Sequence, residues 1–287
     1  MNLFDRLVDE ALKARADFTI LRPVVEKEIL HHDILREMSR AGLLEGLTFI
    51  GGTCLRTCHG SQRLSEDLDF TGGSNFQKED LTSFARVLTE GLYERYNLPV
   101  RVSEPIRTDS KVSTWKLMIE TRPGQRHFPA QRIHVDICAI PSHDPRPMML
   151  RNLYGIDLGT SGLILQAQSR EEILADKMIA LAFRDNRVKN RDLWDIAWLV
   201  QQGVILPAAL IPLKIADHQR GKDEFRDRLV ERIEWLKADP AARVDFMKEM
   251  QRFLPANTVR ETLSQVDYWS YLLSVLEDQT GVAMAAL

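Results

Sequence analysis

The chain has 287 residues, 44% of them hydrophobic and 28% charged, an ordinary globular composition with length for one large domain or two smaller ones. Its formal net charge of −3 excludes a global pull toward nucleic acid, so any polyanion must be held by local clusters. Three cysteines, Cys54, Cys58 and Cys138, make no disulfide framework, which points to a reducing cytoplasm.

Residues 1–20 mix acids and bases throughout and lack the apolar run of a secretory signal. Residues 4–16 and 22–41 have helical spacing, with Leu30, Ile34 and Met38 recurring every fourth position in the second. His31-His32-Asp33 then reads as helix surface. Gly42 and Gly46 end that helix, and LTFI at 47–50 reads as a short buried strand. Gly51-Gly52 is a breaker, with CLRTCHG starting a helix on Thr53. DLDF at 67–70 reads as a strand stopped by Gly72-Gly73, and 78–96 as one helix. Strands follow near 100–104, 113–121 and 132–140. The Pro-rich PSHDPRP at 141–147 closes this half.

After about residue 165 the pattern turns helical, in REEILADKMIALAF (170–183), RDLWDIAWLVQQG (191–203), FRDRLVERIEWLKA (225–238) and 244–282. The most apolar stretch, GVILPAALIPLKIA at 203–216, is broken by Pro207 and Pro212 and is shorter than the roughly 18–20 residues of a membrane span. The expectation is an α+β domain with a mixed sheet over 1–160 and an all-helical domain over 161–287.

Asp67 and Asp69 flank Leu68. In a strand, residues i and i+2 share a face, so two carboxylates sit side by side. Such an acceptor-only site suits a hard cation, and Mg²⁺ binds through one or two carboxylates plus substrate phosphates. Asp136, interrupting the run Ile133, Val135, Ile137, is the best third acid, since a charge there needs a partner. Taken alone, the Asp67–Asp69 pair also reads as strand-end acids balanced by Arg63 or Arg56. The Gly51-Gly52-Thr53 turn upstream offers backbone N–H groups as a phosphate cradle. A glycine–hydroxyl turn followed by Asp-x-Asp is a stronger signal than either part.

Ile173, Lys177 and Leu181 are four apart, which puts Lys177 on an apolar stripe with Arg184 on nearly the same side. The lysine either snorkels to water or neutralises a phosphate. Asp192 and Asp195 share one side of a helix. Asp192 fits a first-turn acid favoured by the macrodipole, and Asp195 lies deeper, between Trp194 and Trp198. Two basic clusters, Arg122/Arg126/His127/Arg132 and Arg184/Arg187/Lys189/Arg191, read either as solvated faces or as sites for an acceptor nucleic acid. Cys54, Cys58 and His59 have no second Cys/His pair, which argues against zinc.

A Gly-Gly turn, a helix and Asp-x-Asp on a strand resemble the DNA polymerase β-type nucleotidyltransferases. The longer series GGTCLR, RLSEDLDF, VDI, ADKMIALAFR and RDLWDIAWL, within 49–199, closely resembles the AbiEii/AbiGii-type nucleotidyltransferase toxins. The resemblance implies a polymerase β-like domain and a helical domain that contributes Lys177, Asp192 and Asp195 to the active site. It places Gly51, Gly52, Thr53, Arg63, Ser65, Lys177 and Arg184 with the nucleotide triphosphate. It places Asp67, Asp69 and Asp136 on Mg²⁺, and makes Asp192 or Asp195 the general base. The activity it implies is NTP-dependent transfer to a hydroxyl, most simply the 3′ end of tRNA. This would occur in a cytoplasmic toxin–antitoxin or abortive-infection (phage-defence) system with an antitoxin encoded adjacently. Transfer to a protein hydroxyl, a non-catalytic nucleotide-binding module and kinase-like γ-phosphate transfer are the rival readings.

Overall fold

The computed structural model describes residues 2–106, 111–125, 128–185 and 187–287. The chain divides into two compact units, Met1–Gln168 and Ser169–Leu287.

The first unit opens with α1 (Leu3–Ala14), whose Asn2 side chain accepts the Asp5 N–H at 2.8 Å, a side-chain N-cap. A 3-10 turn (Ala16–Leu21) leads into α2 (Arg22–Arg40), which has Pro23 in its first turn. Gly42, at φ +71°, ends α2. Leu43 N–H reaches the Met38 carbonyl and Gly42 N–H the Ser39 carbonyl, the paired bonds of a Schellman cap. Then come β1 (Thr48–Ile50), α3 (Gly51–Thr57) and β2 (Leu68–Thr71). They are followed by α4 (Phe84–Tyr96), β3 (Val100–Ser103), β4 (Val112–Ile119), β5 (Gln131–Cys138), β6 (Pro145–Met149) and β7 (Ile164–Gln168).

The seven strands form one mixed sheet in the order β3-β4-β5-β2-β1-β7-β6. The β2–β5 and β1–β7 pairs are parallel and the others antiparallel. Alternation assigns the faces. Leu68, Phe70, Trp115, Leu117, Ile133, Val135 and Ile137 are buried, with the ring of Phe84 of α4 tilted against Trp115 at 5.3 Å and Phe49 5.0 Å from Phe70. The intervening residues face away from this core. The second unit contains α5 (Arg170–Phe183), α6 (Asn190–Gln201), α7 (Leu210–Asp217), α8 (Lys222–Ala238), α9 (Pro240–Met250), α10 (Ala256–Glu261) and α11 (Tyr268–Ala285). Ser169 caps α5 by accepting the Glu172 N–H. No described helix is long and apolar enough to cross a membrane.

Several local expectations change. The proline-rich segment is edge strand β6, where the missing N–H groups of Pro145 and Pro147 are tolerated. Strand β7 lies beyond residue 160, so the first unit runs to Gln168. The helix expected over 78–96 is a 3-10 turn (Lys78–Leu81) followed by α4, and α3 begins at Gly51 rather than Thr53. His31-His32-Asp33 is not helix surface, because all three are buried. The helix is enclosed around most of its girth, so its polar side chains find internal partners. His31 Nε2 bonds the Glu66 carbonyl and His32 Nδ1 the Thr160 hydroxyl. Asp33 meets Arg36 at 2.6 Å and Arg95 at 3.4 Å.

This buried trio gives a signed pH dependence. Burial pushes the His32 imidazole down from its usual 6.5 to about 3, and also lowers His31. Between those two pH values the unfolded chain binds more protons, so stability is lost as pH falls. Burial raises Asp33 from 3.8 to about 6, so the Asp33 contribution runs the other way, being present at low pH and lost as pH rises through about 6. Two histidines outweigh one aspartate, and thermal stability is expected to fall from pH 7 to pH 4.5. His32→Gln, which keeps a partner for Thr160, should flatten that slope by up to about 1.4 kcal/mol per pH unit. An unchanged slope in melts across this range would contradict the assignment.

Candidate active site

The site is built where β1 turns into α3. Ile50 pairs with Asp69, so the chain emerging from β1 runs into the Asp-x-Asp segment. Gly51 has φ +75°, a conformation that favours glycine. A Cβ there would lie 2.6 Å from Asp69 Oδ2. At Gly52 a Cβ would collide with Arg63 Nη2 and sit 3.2 Å from Ser65 Oγ. Gly51 is required by its conformation and by the Asp69 approach, a side chain at Gly52 would have to displace the buried Arg63 guanidinium, and the groups that approach are three of the residues singled out from sequence.

Arg63 and Ser65 are buried, at 2% and 5% exposure, so they back the glycine turn rather than line an open cleft. The Arg63 Nη1 donates to the Leu64 carbonyl at 2.8 Å. The Thr53 hydroxyl, expected with the phosphates, instead donates to the Asp67 carbonyl and is fully buried. It ties the start of α3 to the start of β2. Arg56 does not balance the Asp-x-Asp pair. It is buried against Glu28, with Nε 3.1 Å from Glu28 Oε1.

Glu28, which the sequence reading missed, organises this loop. Its carboxylate accepts from Arg56, from the Ser65 N–H at 3.1 Å and from the Tyr154 hydroxyl. A glutamate inside an apolar helical pattern was the available signal. Tyr154, more than a hundred residues away, had none. Burial first, and then the charge of Glu28, push the Tyr154 hydroxyl up, so it remains a donor.

The acids lie on the sheet face away from the core. Asp69 and Asp136 are direct partners on β2 and β5, strands that run about 4.8 Å apart. Asp136 accepts the Thr114 hydroxyl at 2.6 Å. Asp67, one-third exposed, accepts the His134 backbone N–H at 3.0 Å, with the His134 ring at 3.6 Å. These donors stabilise like charges held together. Among the described residues, no three His, Cys, Asp or Glu side chains converge closely enough to hold a metal unaided. The expected trio of Asp67, Asp69 and Asp136 is thus not a closed metal cage. The Asp69–Asp136 pair fits a cation that takes one or two carboxylates and fills its shell with water and phosphate, as Mg²⁺ does.

The second unit holds its own charged cluster. Lys177 does not snorkel. Its Nζ lies 2.5 Å from Asp192 and 2.9 Å from Asp195, and Arg184 reaches Asp192 at 3.1 Å. Burial alone would raise the Asp192 carboxyl, but Lys177 and Arg184 hold it below the usual range. Such a carboxylate is a poor proton acceptor at neutral pH, and Asp195 is fully buried. In this arrangement both acids hold the Lys177 ammonium in place.

Of the basic clusters, Arg122 is committed to Asp5 at 2.9 Å and Glu26 at 2.6 Å. Arg126 and His127 lie outside the described residues, and Arg132 is exposed. In the other, Arg191 packs on the Phe253 ring and pairs with Glu249. Cys54 and Cys58 are buried.

The family model described as nucleotidyl transferase AbiEii toxin, type IV TA system, matches residues 33–267. Among solved structures, MenT4, a nucleotidyltransferase toxin from Mycobacterium tuberculosis H37Rv, aligns with a TM-score of 0.58 at 14% identity. That alignment covers 98% of this chain and 93% of MenT4. JHP933 from Helicobacter pylori aligns with a TM-score of 0.51 at 16% identity, over 91% of this chain and 92% of its own. At these identities the likeness establishes the fold. No curated protein matches the sequence. The family match spans most of the chain and includes the glycine turn, both sheet acids and the Lys177 cluster, and the chain belongs to the AbiEii family of nucleotidyltransferase toxins of type IV toxin–antitoxin systems.

Proposed function

We propose that the protein transfers a nucleotide from an NTP to an RNA hydroxyl, the 3′ end of tRNA being the acceptor that best fits a translation-blocking toxin. The observation that carries this reading is the position of Asp69, against Gly51 on one side and paired with Asp136 on the other. The turn at Gly51, Gly52 and Thr53 presents backbone N–H groups to the phosphates, and the buried Arg63 guanidinium behind Gly52 adds positive potential. A Mg²⁺ ion held by Asp69 and Asp136, with Asp67 beside them, would neutralise the phosphate oxygens. The acceptor oxygen forms a bond to the α-phosphorus while the α–β bridging P–O bond breaks. Pyrophosphate leaves with that electron pair, and the hydroxyl proton passes to solvent at the half-exposed acids.

We assign Lys177 and Arg184 to the same reaction as charge for the triphosphate. Supporting this is the way Asp192 and Asp195 fix the Lys177 ammonium in one position. The protein would act in the cytoplasm, in phage defence, and be counteracted by an antitoxin encoded adjacently.

With α-labelled NTPs, Mg²⁺ and total tRNA, label should enter RNA, whereas γ-label should not. Asp69→Ala should abolish the transfer by a factor of 10² or more. Label from the γ-position would show kinase-like chemistry, label in protein alone would move the acceptor class, and full activity in Asp69→Ala would sink the reading. Lys177→Ala leaves two acids in or near the interior without their main cation. It should lower unfolding stability by about 3–5 kcal/mol, measured by urea titration. A change under 1 kcal/mol would contradict the buried-pair geometry.

A further inference from the structure

Strand register extends the site beyond the acids. Three rows cross the sheet face that carries Asp69. The first runs Asp69, Asp136, Thr114, the second His134, Lys116, Ser103, and the third Arg132, Met118, Arg101. The first row is anionic, and the charge turns cationic in the next two. Lys116, His134 and Arg132 are exposed. Arg101 is paired with Glu120, but among the described residues neither Lys116 nor Arg132 is paired with a carboxylate. Most of the other strongly placed cations in this unit, such as Arg22, Arg36, Arg56 and Arg122, have acidic partners.

Beside the first two rows lies a cleft of about 320 Å³, lined by Ser103, Glu104, Pro105, Ile106, Val112, Thr114 and Lys116. That volume is at the lower end of small-molecule sites. Thr114, on its wall, is the residue that bonds Asp136.

We propose that this β3–β4–β5 surface is where the RNA acceptor docks, with its terminal nucleoside in the cleft and the preceding phosphates on Lys116 and Arg132. The inference rests on the nucleotidyl-transfer reading above. In phosphoryl transfer the entering and leaving oxygens are roughly in line through phosphorus. The leaving pyrophosphate belongs at the glycine turn, on the β1 side of Asp69. The attacking hydroxyl must then come from the opposite side, across Asp136 from β4 and β3. That is where the cleft lies, with the cations that have no carboxylate partner among the described residues. The chemistry of the wall also favours a nucleoside. The Glu104 carboxylate and the Ser103 and Thr114 hydroxyls can accept from an exocyclic amino group, as carboxylates do with cytosine. Exposed lysine and arginine suit a phosphate backbone better than a protein hydroxyl.

The test uses full-length protein carrying Lys116→Glu with Arg132→Glu, and a milder Lys116→Gln/Arg132→Gln pair in case charge reversal disturbs the fold. Label transfer is measured against RNA concentration at several salt concentrations, and NTP binding is measured without RNA. Both variants should bind NTP as the wild type does, and the reversal should raise the RNA KM at least tenfold. Neutralisation should lower the salt slope by about 1.4, two single-strand phosphate contacts at about 0.7 each. Wild-type KM and slope in both variants, with wild-type transfer intact, would overturn the docking surface and leave the nucleotidyl-transfer reading standing. Transfer by the wild type to protein and not to RNA would overturn the surface as an RNA site. Absence of any transfer by the wild type would overturn the underlying reading, and the surface with it.

Discussion

The site depends on one close approach. Two glycines let an aspartate carboxylate and an arginine guanidinium come against the backbone where β1 becomes α3. A side chain at Gly52 would occupy the space of Arg63, and one at Gly51 the space of Asp69. Three contacts in the first unit hold the two sides of that approach in place. The β1–β2 register brings Ile50 beside Asp69, the Thr53 hydroxyl clamps the Asp67 carbonyl, and Glu28 pins the Ser65 backbone. Positive charge is thus fixed behind the turn while negative charge stands half-exposed in front of it. A nucleotide–metal complex, anionic at its phosphates and cationic at its metal, is complementary to that arrangement.

Helix α2 illustrates the supporting structure. It is lined with Glu28, His31, His32, Asp33 and Arg36, all buried, and each has a partner from a distant part of the chain. Buried polar groups left unpaired are costly, so these bonds tie the 154–160 loop and the 61–66 loop to the helix. The Lys177 cluster in the second unit follows the same logic, with two acids and one lysine fixing a charge that a flexible side chain would otherwise leave mobile.

Much of this was legible in the sequence because it is local. The glycine turn is marked by residue identity, and the Asp-x-Asp alternation, the apolar run around Asp136 and the placement of Lys177 on an apolar stripe follow from periods of 2 and 3.6. The all-helical second half was legible for the same reason. What the sequence hid is non-local. An alternation rule shows which face a residue takes, but not that a whole helix is enclosed, so His31-His32-Asp33 read as surface. Nothing in the order of residues ties Glu28 to Tyr154 or Thr114 to Asp136. Strand β6 was hidden by its prolines, which are acceptable only because it lies at the sheet edge, a fact of topology and not of propensity. The roles expected of Thr53, Asp192 and Asp195 came from family resemblance. The structure shows the Thr53 hydroxyl and both carboxylates already committed to neighbours.

The central claim is that the Gly52–Arg63 approach forms the nucleotide site. The most direct measurement is NTP affinity of Gly52→Ala by calorimetry, alongside its melting curve. The added methyl must push the Arg63 guanidinium aside, an overpacking change costing about 1–3 kcal/mol. The account predicts a folded protein, somewhat less stable, whose NTP affinity falls tenfold or more. A folded Gly52→Ala protein with wild-type NTP affinity would contradict it.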